Sequence, residues 1–135
     1  MLALETLFGT RINALPTALD AATWGPDTIA MRISPDDLFV FNDMFSPQGA
    51  GVDAIRAIDE HAIIESETGF SGTWLAPNQF DEILTHIEWS LPTERPALAQ
   101  GFVAGVPAKL WLTDDIAMLL CGRPNIADLI ERLGL

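Results

Sequence analysis

Short runs that are either apolar throughout or alternate between hydrophobic and polar residues recur along the chain from residue 28, as is typical of β-strands. Runs at 28–33 and 38–41 flank a proline- and aspartate-containing turn sequence and predict a β-hairpin. Runs at 62–65 and 70–75, joined at Thr68 and Gly69, predict a second hairpin. Three more strands are predicted at 97–104, 108–112 and 116–121, with turns at 105–107 and 113–115.

Three segments have the spacing of an amphipathic helix instead. Val52, Ile55 and Ile58 indicate a helix over about 52–59. Pro77 can open a second helix, whose apolar stripe runs from Phe80 to Ile87. A third helix is predicted at 126–133, with Gly134 as its C-cap.

The predicted order from residue 28 onward is ββαββαβββα, which favours an α+β fold. In such a fold an antiparallel or mixed sheet has helices packed on one face. A length of 135 residues predicts a single domain over 1–135. Residues 1–26 mix apolar residues with glycine and proline, and are expected to form a short helical turn or a loosely packed arm. Residues 42–51 are expected to form a loop.

Composition and charge exclude several classes of protein. Hydrophobic residues make up 49% of the chain, which is too many for a disordered protein. A formal net charge of -12 has the wrong sign for binding nucleic acid or an anionic membrane surface, so we expect neither partner. No apolar stretch is long enough to span a bilayer and no basic signal region opens the chain. The single cysteine, Cys121, lies in an apolar run and is expected to be an inert core thiol in a cytoplasmic protein.

The acidic residues around the second predicted hairpin are candidates for a site. His61, Glu65 and Glu67 would project from one side of a strand, as metal ligands can, but Ile63 interrupts them and a solvated strand edge explains them as well. His86 with Glu88 is a weaker version of the same pattern, and we predict no metal. Asp59 and Glu60, with Glu65 and Glu67, could hold a carboxyl group of raised pKa or simply form a solvated face.

No motif completes a catalytic mechanism. The chain contains no nucleophile elbow, no C-x-x-C, no phosphate-binding loop and no H-E-x-x-H. We therefore predict no catalytic residues and no cofactor.

The four tryptophans are a high number for this length. Trp74 and Trp111 fall within predicted strands and are expected in the core. Trp89 lies in a proline-flanked loop and is predicted, together with Trp24, to belong to an interface with another protein or with a second copy.

Gln100 and Gly101 stand in a predicted strand where apolar residues are expected. Gln100 could satisfy backbone groups at a bulge beside Gly101, or it could contact a ligand. In the second case an acid among Glu65, Glu67 and Asp59 would be a further polar anchor in an apolar pocket.

The C-terminal half resembles the closing region of sarcosine oxidase gamma subunits. The resemblance lies in Arg95-Pro-Ala-Leu-Ala-Gln100-Gly-Phe-Val-Ala-Gly-Val-Pro-Ala-Lys-Leu-Trp111, an acidic turn, the run at 116–121 and the final helix at 127–133. Segments at 34–41, 61–65 and 80–87 occur in a similar order, so the likeness extends over about 29–133. The chain is shorter than such subunits usually are, and no residue matches a folate-binding acid.

The gamma subunits are related to the folate-binding domain of the glycine-cleavage T protein, and they assist a flavoenzyme assembly without a redox centre of their own. The resemblance thus implies a non-catalytic accessory domain that binds other protein subunits or itself. A small-molecule binder or transferase for a folate-like or amine ligand is the alternative.

Overall fold

The computed structural model describes residues 2–41 and 50–134, so most of the loop predicted at 42–51 lies outside the described residues. The strands are β1 Glu5–Thr6, β2 Gly9–Asn13, β3 Ile29–Ser34, β4 Asp37–Phe41, β5 Ile63–Glu67, β6 Phe70–Leu75, β7 Ala97–Val103, β8 Val106–Leu112 and β9 Ala117–Gly122. The helices are α1 Pro16–Ala21, α2 Ala50–Ile58, α3 Pro77–Leu84 and α4 Ile126–Leu133, the last preceded by a 3-10 turn at Arg123–Asn125. The chain divides into an N-terminal unit, residues 8–68, and a C-terminal unit, residues 2–7 with 69–134.

The N-terminal unit is a four-stranded antiparallel sheet of order β3-β4-β2-β5 with two helices. Its chain order, βαββαβ, with the first strand in the interior of the sheet, is the split βαβ arrangement. Alternate residues of β2 and β4, including Ile12 and Val40, point to one face, where they pack with Leu19 of α1 and Ile55 of α2. The apolar spacing of α2 is therefore satisfied by one sheet face.

The C-terminal unit is a five-stranded antiparallel sheet of order β1-β6-β9-β8-β7. Its core lies between one sheet face and the two helices, with Leu110 and Leu119 of the sheet packed with Ile83 of α3 and Leu129 of α4. Gly134 adopts a left-handed conformation, with φ of 66°, and ends α4 as the sequence predicted.

The α+β class is confirmed, and from β3 onward the elements follow the predicted order. The single predicted sheet is instead two sheets. The predicted second hairpin is also wrong, because β5 pairs with β2 and β6 pairs with β1 and β9. Local turn chemistry at Thr68 and Gly69 could not show that the two strands take their partners from remote parts of the chain.

Two further differences concern the N-terminal stretch and the β7–β8 turn. Within 1–26 the structure has β1, β2 and a short helix, α1, with Leu19 buried. The turn expected at 105–107 is Ala104 and Gly105, with φ of 50° and 76°, and Pro107 belongs to β8. Positive φ at both central residues is the geometry of a tight hairpin turn, which matches the twist of the strands. No helix among the described residues combines the length and the apolar character that a membrane crossing needs.

Candidate functional site

Arg11 joins three strands of the N-terminal sheet on the face opposite its helices. Its guanidinium donates to both carboxylate oxygens of Asp37, at 2.5 and 2.6 Å, and to Oε1 of Glu67 at 2.8 Å. All three side chains are at least partly buried, and the hydrogen bond and charge of Asp37, followed by those of Glu67, raise the pKa of Arg11. Glu67, a predicted ligand anchor, is thus part of a structural ion-pair network.

Asp59 also makes internal contacts in the structure. Its carboxylate accepts hydrogen bonds from the backbone N–H of Leu15, at 2.9 Å, and of His61, at 3.0 Å. Leu15 is the residue that precedes α1, so Asp59 supplies the cap that this helix lacks in its own sequence. The carboxylate ties the start of α1 to the turn that follows α2.

Glu65 is exposed on the edge strand β5 and lies opposite Arg11 in the strand register. His61 is exposed, with its Nε2 3.4 Å from Oε1 of Glu60. Among residues 2–41 and 50–134 no three His, Cys, Asp or Glu side chains come together as metal ligands would. The absence of a metal stays a prediction of the sequence.

Gln100 lies in the C-terminal unit, whereas the three acids proposed with it lie in the N-terminal unit. Its side chain is exposed, and Oε1 accepts a hydrogen bond of 2.7 Å from Nζ of Lys109 on β8. The ammonium group of Lys109 also stands 5.9 Å from the ring centre of Phe70. These residues, with Phe102, line a groove of about 360 Å³. Gln100 therefore meets a polar partner across the strands and not a backbone bulge, since β7 and β8 pair in regular register.

Trp89 and Gly101 depend on each other. A Cβ at Gly101 would stand 2.6 Å from Cε2 of Trp89, so the indole ring occupies the space of a side chain. The indole N–H donates to the carbonyl of Phe102 at 2.9 Å. Because β7 is an edge strand, this bond closes part of an edge that could otherwise recruit another strand. Trp89 is half-buried against the core, and its predicted interface role stays a prediction.

The other tryptophans differ in exposure. Trp24 is half-buried and lies over Gly51, where a Cβ would stand 2.6 Å from its ring. Trp111 is partly buried, but Trp74 is 41% exposed, so the expectation that Trp74 lies in the core is wrong. Trp74 points to the sheet face opposite the helices, since its neighbour Leu75 points into the core.

Two potentially reactive side chains of the C-terminal unit are wholly or partly buried. Cys121 is buried in the core, and desolvation raises the pKa of its thiol to about 11, as expected for an inert cysteine. The Nε2 atom of His86 is buried without a hydrogen-bond partner among the described residues, 3.8 Å from Oε1 of Glu82.

A groove of about 480 Å³ lies at one end of the C-terminal sheet. We call it the end groove, and its lining includes Trp74, Asp81, Arg95, Asp114, Asp115 and Ile116. Sequence reasoning placed a turn at 113–115 but missed the groove. The available signal was an acidic turn followed directly by the large apolar residue Ile116, which is 44% exposed.

Several of the polar groups in these places are engaged within the chain. Arg11 pairs with Asp37 and Glu67, Asp59 accepts the backbone N–H that precedes α1, and Gln100 pairs with Lys109. The end groove combines exposed apolar surface with carboxylates, an arrangement suited to recognition.

No family model and no curated protein matches the chain. Among solved structures the chain is similar to a chain of the heterotetrameric sarcosine oxidase from Corynebacterium sp. U-96, determined in complex with pyrrole 2-carboxylate. The two chains are 14% identical and superpose with a TM-score of 0.63, over 97% of this chain and 82% of that chain. This likeness supports the resemblance to sarcosine oxidase at the level of the fold, and the match to the gamma subunit in particular stays a prediction.

Proposed function

We propose that this chain is a non-catalytic accessory subunit, similar to a sarcosine oxidase gamma subunit, that helps to assemble a flavin-dependent amine oxidase. The observation that carries the proposal is the likeness in fold, over 97% of the chain, to a chain of a heterotetrameric oxidase. A subunit of this kind works by contact with other polypeptides. It needs a stable scaffold and an exposed contact surface, and no reactive centre of its own.

The distribution of polar groups supports a scaffold. The carboxylates of Asp37, Glu67 and Asp59 are engaged in internal hydrogen bonds, and Cys121 is buried. Large apolar side chains remain on the surface of the C-terminal unit, where Phe102 is 62% exposed and Trp74 and Ile116 are each more than 40% exposed. Aromatic residues in such positions are typical of the centres of protein interfaces.

The test is co-expression with the subunits of a flavin-dependent amine oxidase from the same genome, followed by size-exclusion chromatography with light scattering. We expect co-elution at a fixed stoichiometry, and we expect the oxidase subunits to be less stable or less active without this chain. A strict monomer at low micromolar concentration, with the oxidase fully assembled and active in its absence, would contradict the proposal.

A binder of a folate-like or amine molecule is the second candidate, and the groove beside Gln100 is the observation in its favour. That groove offers an amide, the ammonium group of Lys109 and the rings of Phe70 and Phe102 to a small ligand. A thermal-shift screen with folates and small amines should then reveal a ligand whose effect disappears in Gln100→Ala. Glu65→Ala tests whether an acid of the N-terminal unit takes part in binding together with Gln100, because Glu65 is exposed there. If the acid takes no part, this variant should keep the thermal shift.

A further inference from the structure

The end groove has an apolar floor that faces solvent. Trp74 is 41% exposed and Ile116 is 44% exposed, although both flank residues that are buried in the core. Exposing large apolar side chains to water is unfavourable. A partner that covers them inside a concave surface would therefore bind with a favourable hydrophobic contribution. A groove of about 480 Å³ is large enough for one or two side chains of a peptide segment.

The rim of the groove is acidic and its carboxylates are available. Asp81, Asp114 and Asp115 are exposed, and no hydrogen bond or ion pair engages their side chains within the described part of the chain. The one cation in the lining, Arg95, directs its Nη1 to the backbone carbonyls of Pro92 and Glu94, at 2.6 and 2.7 Å. Three carboxylates against the single positive charge of Arg95 leave the lining of the groove with a net negative charge, which favours a cation.

The turn that carries two of these acids is held in one conformation. The hydroxyl of Thr113 donates to the carbonyl of Ile116 at 2.7 Å and accepts from its N–H at 3.0 Å. The backbone N–H of Thr113 donates to the same carbonyl at 3.0 Å. Asp114 and Asp115 are thus presented by a closed turn, and a ligand would not have to bear the entropy of ordering it.

We propose that the end groove docks a segment of a partner subunit in which a lysine or arginine side chain stands next to an aliphatic one. The aliphatic side chain lies on Trp74 and Ile116, and the cation pairs with Asp114 and Asp115 and contacts the indole face. This inference rests on the proposed accessory role and names the chemistry of the partner at one site.

The direct test uses three synthetic peptides and the full chain labelled with ¹⁵N. The probes are acetyl-Gly-Leu-Lys-Leu-Lys-Gly-amide, the same peptide with Glu in place of Lys, and the same peptide with Ser in place of Leu. We expect the Lys–Leu peptide to shift the indole N–H signal of Trp74 and to bind at least about fivefold more tightly than either of the others. Its affinity should fall as salt is added.

Variants of the groove separate charge from apolar contact. Asp114→Asn with Asp115→Asn should weaken the Lys–Leu peptide about fivefold to tenfold, and Ile116→Ser should weaken it without altering the salt dependence. Glu88→Gln with Glu131→Gln is the matched control, because it removes the same charge from exposed positions of the same unit outside the groove. Equal affinity for the Lys and Glu peptides, or equal losses in the groove and control variants, would overturn the proposal.

The same variants distinguish failure of this inference from failure of the accessory role. If the chain assembles with oxidase subunits and the Asp114→Asn, Asp115→Asn variant assembles equally well, the end groove is not the docking site and the accessory role stands. If the Lys–Leu peptide binds as expected but no oxidase complex forms, the groove recognises basic segments and the accessory role is wrong.

Discussion

In the N-terminal unit the sheet face that points away from the helices combines the buried apolar side chains of Met31 and Phe39 with a charged network, whereas the corresponding face of the C-terminal unit is mainly apolar. In the first, Arg11 on the central strand β2 links Asp37 on β4 with Glu67 on β5. In the second, a row of apolar residues crosses four strands of the sheet. Its members, in strand order from β7 to β6, are Leu98, Trp111, Met118 and Trp74.

The difference between the two faces shows which side chains remain free to contact another molecule. In the N-terminal unit Arg11 pairs with Asp37 and Glu67, and Asp59 accepts backbone hydrogen bonds, so two of the acids singled out in the sequence, Asp59 and Glu67, are engaged within the fold. The apolar row of the C-terminal unit ends at Trp74, which is 41% exposed beside the exposed carboxylates of Asp81, Asp114 and Asp115. Side chains that stay exposed in the folded chain therefore indicate a contact surface better than residues that stand out in the sequence.

The largest expected effect is the loss of stability when Arg11, the cation of the three-strand network, is removed. Arg11→Ala leaves the Asp37 and Glu67 carboxylates partly buried without their partner, and we expect a loss of about 3 kcal/mol in the free energy of unfolding. Urea denaturation measures it. Arg56→Ala, at an exposed position of α2, is the control and should cost less than about 0.5 kcal/mol. Similar losses in the two variants would show that the ion pairs of Arg11 add no more to the free energy of unfolding than an exposed arginine does.

A methyl group at Gly101 should break the packing on the C-terminal side. In Gly101→Ala the new Cβ would stand 2.6 Å from the Trp89 ring, so the indole must move and its hydrogen bond to Phe102 is lost. We expect a cost of about 2 kcal/mol, measured by thermal or urea denaturation. Gly25→Ala is the matched control, since nothing lies within 4 Å of a Cβ there. A cost for Gly101→Ala no larger than for the control would contradict the contact.

The buried thiol of Cys121 in the C-terminal unit should make the free energy of unfolding depend on pH. Burial raises the pKa of Cys121 from 9.0 to about 11, so above pH 9 the unfolded chain releases this proton while the folded chain keeps it. The free energy of unfolding should therefore fall as pH rises from 9 to about 11, with a slope of about 1 kcal/mol per pH unit near the middle of this range. The comparison is with Cys121→Ala over the same range. Parallel pH profiles of the two proteins would mean that the thiol is not enclosed.

The smallest expected effect concerns the helix cap in the N-terminal unit. Asp59→Ala removes the acceptor for the N–H groups of Leu15 and His61 and should cost about 1 kcal/mol. Glu65→Ala, at an exposed position of β5, should cost less than about 0.5 kcal/mol. Chemical denaturation decides between the two roles, because a ligand-binding acid without a cap function would leave stability unchanged when removed.

Much of the secondary structure could be predicted from local pattern. The strand at Phe70–Leu75 and the helix at Ile126–Leu133 have the predicted bounds, since their apolar spacing and their flanking turn residues agree. Strand β2 was missed because Gly9, Arg11 and Asn13 on one face hide the alternation of Thr10 and Ile12 on the other. Its place in the interior of the sheet depends on partners that lie far along the chain.

The candidate site was less predictable than the fold. The acidic residues singled out in the sequence are real surface or structural features, but only their partners reveal their roles, and those partners come from other strands. The end groove is formed by the ends of β6, β8 and α3 together with a turn, which no single stretch of sequence describes.

By itself the sequence determined the order of strands and helices from residue 28 onward, the α+β class, the C-cap at Gly134 and the acidic charge, because each depends on neighbouring residues or on composition alone. Only the tertiary structure decided that there are two sheets, that Arg11 pairs with Asp37 and Glu67, and that Trp74 is partly exposed to solvent. The physical reason is that strand pairing and burial are contacts between remote residues, and the same local alternation is compatible with several partners.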